Sequence, residues 1–355
     1  MTENQNRVYP ERLEFFTRKL LQAAGLCKNH AEIVTSSLID ANVSGKDSHG
    51  VTRLPTYLKR LERGLINRRP RISFKKKSDG TGIVDGDNGM GHIAAMKAAE
   101  KSAEIAEETG AAFIGVKNSN HFGTAGYYAK HILSNNKIGF VFSSAAPTMV
   151  PHGGATPVLG TNPLAAGIPT RGEFPIVIDM ATSVVARGNI LLADKEGKKI
   201  PEGWAVDTEG RPTTDAGKAL EGAVLPFAGP KGYSLALLVD VLSGVLTGAS
   251  WGKHINSQNT DFENPQDLGH FMGAIDIETF MTLDVFRERI QEFVREIKDI
   301  PPAPDQEEVM LPGEIEARTE RKRRREGIPI PLSVAGELKD LGDKYDLDRN
   351  LLEVF

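Results

Sequence analysis

Residues 81–123, TGIVDGDNGMGHIAAMKAAEKSAEIAEETGAAFIGVKNSNHFG, decide how the chain folds. A short β-prone run (82–84) leads through a glycine-rich turn into a helical run (93–109). A second β-prone run (112–116) follows and ends in a polar loop, 118–123. The same alternation continues downstream, with β-prone runs at 138–143 and 176–179 around a helical run at 126–135. Strands alternating with helices of this length predict a three-layer α/β domain.

The flanks read differently. Leu13, Phe16 and Leu20 recur at helical spacing before Gly25, and residues 29–43 repeat the theme. Asp47 and Ser48 are placed to cap a third helix, 50–63, closed by Gly64. Residues 184–217 read as irregular, with turns at Glu196-Gly197, Glu202-Gly203 and Glu209-Gly210. Residues 232–246 form a helix so apolar that burial is expected. An amphipathic helix to Lys298, a proline joint at 301–304, a highly charged helix (314–325) and a last helix (333–345) complete the chain. The expected organisation is an N-terminal helical region (1–75) packing with a C-terminal one (300–355), and an α/β domain over 76–299.

Composition narrows the function classes. A net charge of −4 over 355 residues gives no global reason for a nucleic-acid or membrane partner. The single Cys27 excludes an internal disulfide and fits a reducing compartment. Residues 1–7 lack the apolar core of a signal peptide, and 235–246 is far short of the ~20 residues that span a bilayer. These features predict a cytoplasmic protein. Eight histidines invite a metal-hydrolase reading, but no H-E-x-x-H occurs and no metal is expected. The basic run 318–325 invites a nucleic-acid reading; following the acidic stretch 305–316, it reads better as a solvated helix.

Gly89-Met-Gly91-His-Ile-Ala94 matches the dinucleotide fingerprint G-x-G-x-x-A. Its strand-to-helix connection is too long, and the next strand runs into Lys117-Asn118 with no acid for a ribose. The preferred reading is a glycine-rich helix start.

Five segments carry candidate chemistry. His49 and Arg53 stand at i and i+4, where on a helix they share one face: a proton carrier beside a cation that can fork onto a carboxylate. The alternative is a capped surface helix with Arg53 in solvent. His121 sits in a strand-end loop, where α/β proteins usually bind ligands; an incidental polar turn is the competing reading. The loop 151–163, with Thr161, offers backbone N–H groups to an anion. Asp179 ends a strand and can accept from ribose hydroxyls or cap a helix. Lys231 opposes the dipole of the apolar helix, which makes sense beside an anion.

DSHGVTR (47–53), NSNHFG (118–123), GTNP (160–163), DMATS (179–183), GWAVDTEGRPTTD (203–215), GPKGYSLALLVDVLSG (229–244) and LPGE (311–314) together resemble the type-2 malate/L-lactate dehydrogenase family. That family also holds ureidoglycolate, sulfolactate and diketogulonate oxidoreductases and a cyclic-imine reductase. The resemblance spans about residues 10–340. It implies a three-layer α/β/α, non-Rossmann nucleotide-binding domain with a mixed sheet, NAD or NADP as cofactor, a small 2-hydroxy acid and its 2-oxo acid as substrates, and a homodimer or larger oligomer. Carried over by position, His121 is the acid/base, with His49 as a second candidate, and Arg53 is the carboxylate clamp. Asp179, Met180, Ala181, Lys231, Pro312, Gly313 and Glu314 line the cofactor, with Ser144 and Thr161 as further candidates. Ala145-Ala146-Pro147 stands where ureidoglycolate dehydrogenases carry Ser-Asp before the proline, which favours a plainer acid such as malate or lactate. Asp179 beside a 2′-hydroxyl favours NAD; Arg187 or Lys195 beside a 2′-phosphate would favour NADP.

Overall fold

A computed structural model describes residues 5–353. The chain opens with strand β1 (Gln5–Val8) and helices α1 (Pro10–Ala23), α2 (Lys28–Val43) and α3 (Leu54–Glu62). Next come β2 (Ser73–Ser78), β3 (Thr81–Asp85), α4 (Gly91–Thr109), β4 (Ala111–Ser119), α5 (Ala125–Leu133), β5 (Lys137–Ser143), β6 (Leu164–Ile168) and β7 (Ile176–Met180). A small lobe holds α6 (Arg187–Lys195), β8 (Ala205–Val206), β9 (Pro212–Thr213), α7 (Ala216–Glu221) and β10 (Ala223–Val224). Helix α8 (Pro230–Asp240) and strand β11 (Leu268–Asp276) return to the main body. The chain ends with α9 (Leu283–Lys298), α10 (Glu314–Glu326), β12 (Ile328–Pro331), α11 (Leu332–Lys344) and α12 (Arg349–Leu352).

Seven strands form one sheet in the order β2-β3-β4-β11-β5-β6-β7. Only β3 and β4 run parallel, joined by α4; the other neighbours are antiparallel. Ile114 and Val116 of β4 and Met272 of β11 face the alanine-rich side of α4 and the inner side of α5 in one buried cluster. Small residues let the helices lie close to the strands, so little side-chain entropy is lost in the burial. On the other face, Gly115 and Gly269 leave room for Thr247 and the Ser243 backbone, in and just beyond the π-helical turn that continues α8. The expected three-layer α/β/α arrangement with a mixed sheet is thus present.

A second core joins the chain ends. Leu13, Phe16 and Leu20 of α1, Leu38 of α2 and Leu58 of α3 pack with Ile328, Ile330 and Leu338, and β1 pairs antiparallel with β12. Met90 and Ile93, at the start of α4, belong to the same core and dock it on the sheet. A third, smaller core (Met149, Leu159, Ile190, Ile200, Val224, Ala236) fills the lobe beneath the three-stranded sheet β10-β8-β9.

Three sequence expectations need correction. Residues 184–217 are not irregular: short elements α6, β8, β9 and α7 lie between turns at Gly197, Gly203 and Gly210, too short to show a period. The helix expected from Gly50 begins at Leu54, because residues 47–49 and 51–53 are two separate 3₁₀ turns hinged on an extended Gly50. The apolar helix beginning at Pro230 is buried on one face only, through Ala236, Val239, Asp240 and Ser243. Leu237, Leu238, Val241, Val245 and Leu246 are between 42% and 61% exposed in the single chain. No helix among the described residues is long and apolar enough to cross a membrane.

Candidate active site

The loop after β4 is built on the glycines of the G-x-G-x-x-A stretch. Asn118 takes a left-handed conformation (φ 50°), and its amide donates to both Asp85 oxygens. Asn120 Nδ2 reaches the Asn88 side chain and the Gly89 carbonyl. The loop then crosses the first turn of α4 so closely that a Cβ on Gly91 would lie 1.8 Å from the Asn120 carbonyl oxygen. Gly91 therefore serves backbone–backbone contact under the loop, while Gly89 makes room for the Pro70 ring, and what lies over this helix N-terminus is protein.

His121 emerges from that platform. Its backbone N–H donates to Gln266 Oε1 at 3.0 Å. Its Nδ1 lies 2.6 Å from the hydroxyl of Tyr57 and 3.3 Å from the Gly123 N–H. The Tyr57 hydroxyl can donate to or accept from Nδ1, so the neutral ring can carry its hydrogen on Nδ1, towards Tyr57, with the lone pair on Nε2. The His49 ring stacks on that of His121, centroids 5.7 Å apart and planes 27° from parallel. Its Nδ1 is 3.0 Å from Ser48 Oγ. Burial, then the neighbouring Arg53 cation, hold His121 well below the ordinary histidine range; the same causes lower His49 to about 4.

Arg53 does not reach His49 along one helix face, since the two lie on consecutive 3₁₀ turns. It comes near by folding back, its Nε donating to the Ser48 carbonyl at 2.6 Å. Among the described residues no carboxylate pairs with Arg53. Its charge acts on His49, His121 and on Tyr57, whose proton affinity burial raises overall, so an uncompensated cation lies close to all three. The turn is anchored from below. Asn42 Oδ1 accepts from the Val51 N–H, Asn42 Nδ2 donates to Asp47, and Gly50 has no Cβ because Asn42 occupies that space.

The second half of the site is a cleft of about 530 Å³, including its open mouth, between α2, α5, β7 and the start of α10. Asp179 lies on its wall, salt-bridged to Lys46, and its charge is felt by His49. Gly126 leaves room for the Asp179 carboxylate, and Gly313, in a left-handed turn (φ 89°), lies flat on Val177. The Pro312 carbonyl accepts from the Val177 N–H, so the 312–313 turn is fastened to β7. Glycine-smoothed walls with an acid at a strand end can admit a flat, hydroxyl-bearing group such as a ribose.

The other expected residues are scattered. Met180 is exposed and Ala181 half-buried beside Asp179. Ser144 is buried, its hydroxyl donating to the Gly269 carbonyl, and Thr161 lends its carbonyl to Thr182. Glu314 turns away from the cleft: its carboxylate is buried against Lys298 and Arg318 and accepts from the Leu311 N–H. Lys231 is exposed on the first turn of α8, with no ion-pair partner among the described residues. Arg187 donates to the Leu220 carbonyl in the small lobe, and the Lys195 side chain lies outside the described residues.

Tyr57, Gln266, Lys46 and Arg323 escaped the sequence reading. Tyr57 had a signal, standing four residues after Arg53. Gln266 had none. The basic run 318–325 is largely compensated within the chain, by Glu308 and Glu314 at Arg318, Glu173 at Arg321, Asp47 at Arg323, Glu320 at Arg324 and Glu326 at Arg325. Among the described residues no His/Cys/Asp/Glu group is arranged to hold a metal ion.

A family model described as malate/L-lactate dehydrogenase matches residues 8–339. The chain is 36% identical over 341 residues to a malate/(S)-sulfolactate dehydrogenase of Methanothermus fervidus, covering 96% of this chain and 98% of the relative. It is 36% identical to the ureidoglycolate dehydrogenase (NAD(+)) of Escherichia coli K12, over 89% and 90% of the two chains. A (2R)-3-sulfolactate dehydrogenase (NADP(+)) of Chromohalobacter salexigens is 36% identical, over 90% and 93%. Among solved structures, a sulfolactate dehydrogenase from Methanocaldococcus jannaschii superimposes with a TM-score of 0.91 at 37% identity, over 97% and 99%.

Proposed function

The chain belongs to the malate/L-lactate dehydrogenase family, and from that premise we propose that it interconverts a small 2-hydroxy acid of the malate or lactate type and its 2-oxo acid, with NAD as cofactor. The observation that carries the reading is the convergence of His121, His49 and an uncompensated Arg53 next to the cleft headed by Asp179. A sulfonated hydroxy acid is the second reading, favoured by the name of the Methanothermus relative.

The roles follow from chemistry. Arg53 is a bidentate partner for the substrate carboxylate. That binding offsets the charge that depresses the two histidines, so His121 gains proton affinity as substrate arrives. In the reducing direction, protonated His121 delivers its Nε2 proton to the oxygen that becomes the hydroxyl; in the oxidising direction, the neutral ring takes it back. His49, stacked against His121, is the alternative proton carrier. When bound, the nicotinamide supplies or accepts the hydride at C2. Asp179, Met180, Ala181, Pro312 and Gly313 would hold that cofactor, with Lys231, Ser144 and Thr161 as further contacts and Glu314 acting through the turn it pins.

The choice of NAD rests on the cleft's charge. Asp40, Asp179, Glu316 and Glu320 line it against Lys46 and Lys130, and a 2′-phosphate would add negative charge to an acid-rich wall. A homodimer accounts for the bare apolar helix: between Lys231 and Lys253 the one charged residue, Asp240, is buried, so the exposed surface there is uncharged. We further assign both chain ends (1–75 and 300–355) to one helical region and 76–299 to cofactor binding.

Absorbance at 340 nm with NADH and NADPH against oxaloacetate, pyruvate, 2-oxoglutarate, sulfopyruvate and oxalurate tests the reading. Turnover with one cofactor and a simple oxo acid is expected. Silence across the panel together with no cofactor binding by fluorescence overturns it.

A further inference from the structure

Helix α10 touches both halves of the site. At its N-terminus the Pro312–Gly313 turn is fastened to β7, the strand that ends in Asp179 and Met180. Farther along the helix, the Arg323 guanidinium forks onto Asp47, with nitrogen–oxygen distances of 2.7 and 2.9 Å, and also donates to the Asn42 carbonyl at 2.6 Å. Asp47 opens the turn that carries His49 and Arg53. Arg323 is also unlike its neighbours in the basic run. Its side chain is 14% exposed, whereas those of Arg318, Arg321, Arg324 and Arg325 are 49% to 76% exposed. An exposed pair between mobile side chains fixes little, but a planar fork with three donated bonds in a half-buried place fixes both distance and orientation.

From Arg323 the linkage continues inward through Asp47 to Asn42, and from Asn42 to the Val51 N–H, two residues before Arg53. We propose that Arg323 is a positioning residue: through Asp47 and Asn42 it holds the 47–53 turn, and so His49 and Arg53, in register with the cofactor-bearing end of β7. Helix α10 is then a strut with the cofactor turn at one end and the substrate turn at the other. The inference rests on the reading of the site given above. It assigns Arg323 no contact with either ligand.

The test uses the full-length protein and the variants Arg323→Gln, Arg323→Lys, Asp47→Asn and the double variant Asp47→Asn/Arg323→Gln. With the oxo acid that the wild type reduces, Arg323→Gln should lose about 10- to 100-fold in kcat/KM, since misplacement of roughly 1 Å costs about that much. The NADH Kd should stay within about twofold, and Arg323→Lys should fall between, because it keeps the charge but not the fork. The double variant should be no worse than the poorer single variant, as two ends of one linkage require. Amide exchange at Val51 should accelerate in Arg323→Gln. Unchanged kcat/KM, additive losses, or a proportional loss of NADH binding and melting temperature would each overturn the proposal. If Arg323→Gln does not fold, Asp47→Asn carries the same comparison. If the wild type reduces no oxo acid and binds no cofactor, the functional reading falls by itself. Val51 exchange then still decides the clamp: acceleration retains it and unchanged protection removes it.

Discussion

Replacing Gly91 by alanine tests whether the glycine-rich stretch is a platform for His121. The new methyl carbon would lie 1.8 Å from the Asn120 carbonyl oxygen and 2.6 Å from that of His121. Carbon–oxygen contacts settle at about 3.3 Å, so the loop must withdraw by roughly 1.5 Å. The bonds of Asn120 to Asn88 and Gly89, and of His121 to Gln266, resist that movement. Displacement of a reacting group by about 1 Å costs on the order of 10²-fold in rate, and overpacking costs about 1–3 kcal/mol of stability. Gly91→Ala should therefore lower kcat at least 100-fold and lower the melting temperature by several degrees, with the NADH Kd nearly unchanged. Gly336→Ala is the control: this exposed helical glycine has open space around its Cβ position, so alanine should stabilise by about 0.5–1 kcal/mol and leave kcat alone. Asn120→Ala removes the tether without adding bulk and serves if Gly91→Ala does not fold. A folded Gly91→Ala protein with kcat within threefold of wild type refutes the reasoning.

Further outcomes are expected. His121→Ala should cut kcat by roughly 10²–10⁴-fold with cofactor affinity retained; near-normal turnover would transfer the proton role to His49. Arg53→Lys should raise the KM for the oxo acid more than it lowers kcat, read from initial rates across substrate concentrations. His92 and His270 are fully buried and held near 3, chiefly by burial, so each stays neutral in the fold while the unfolded chain takes up a proton below about pH 6.5. Stability should fall as pH drops from about 6.5 towards 3, by about 2 kcal/mol per histidine at pH 5, in urea titrations at pH 7.5 and 5.0; equal midpoints would contradict the assignment. Leu238→Glu, on the exposed apolar helix, should leave the fold intact and shift the sedimentation coefficient from dimer to monomer, and an unchanged oligomer would place the interface elsewhere.

The alternation in residues 81–143 was legible because each element is long enough to show its period and is bounded by a turn signal. The central strand β11 was not. Its run Leu268-Gly-His-Phe-Met-Gly-Ala-Ile-Asp holds two glycines and a histidine, a poor strand by propensity. Tertiary fit explains them: Gly273 makes room for Phe113, and His270 is held by the hydroxyls of Ser119 and Ser143. The 47–53 turn shows the reverse failure. Helical spacing paired His49 with Arg53, but Asn42 under Gly50 breaks the helix, and their proximity arises instead from the Arg53 side chain folding back to the Ser48 carbonyl. The apolarity of the α8 segment was plain, yet a sequence does not say whether such a face is covered by its own chain or by another.

The place of β11 in the sheet also sets the order of events during synthesis. His270 meets partners 151 and 127 residues earlier in the chain, so β4 and β5 cannot become neighbours through it until most of the protein has left the ribosome. Until then both present unpaired strand edges, in a region flanked by apolar helices. Closure costs loop entropy and comes late, which makes for slow folding and for an interval in which strand-to-strand capture by another nascent chain competes with completion. The yield of folded protein should accordingly depend on translation rate and temperature more than on the stability of the finished sheet.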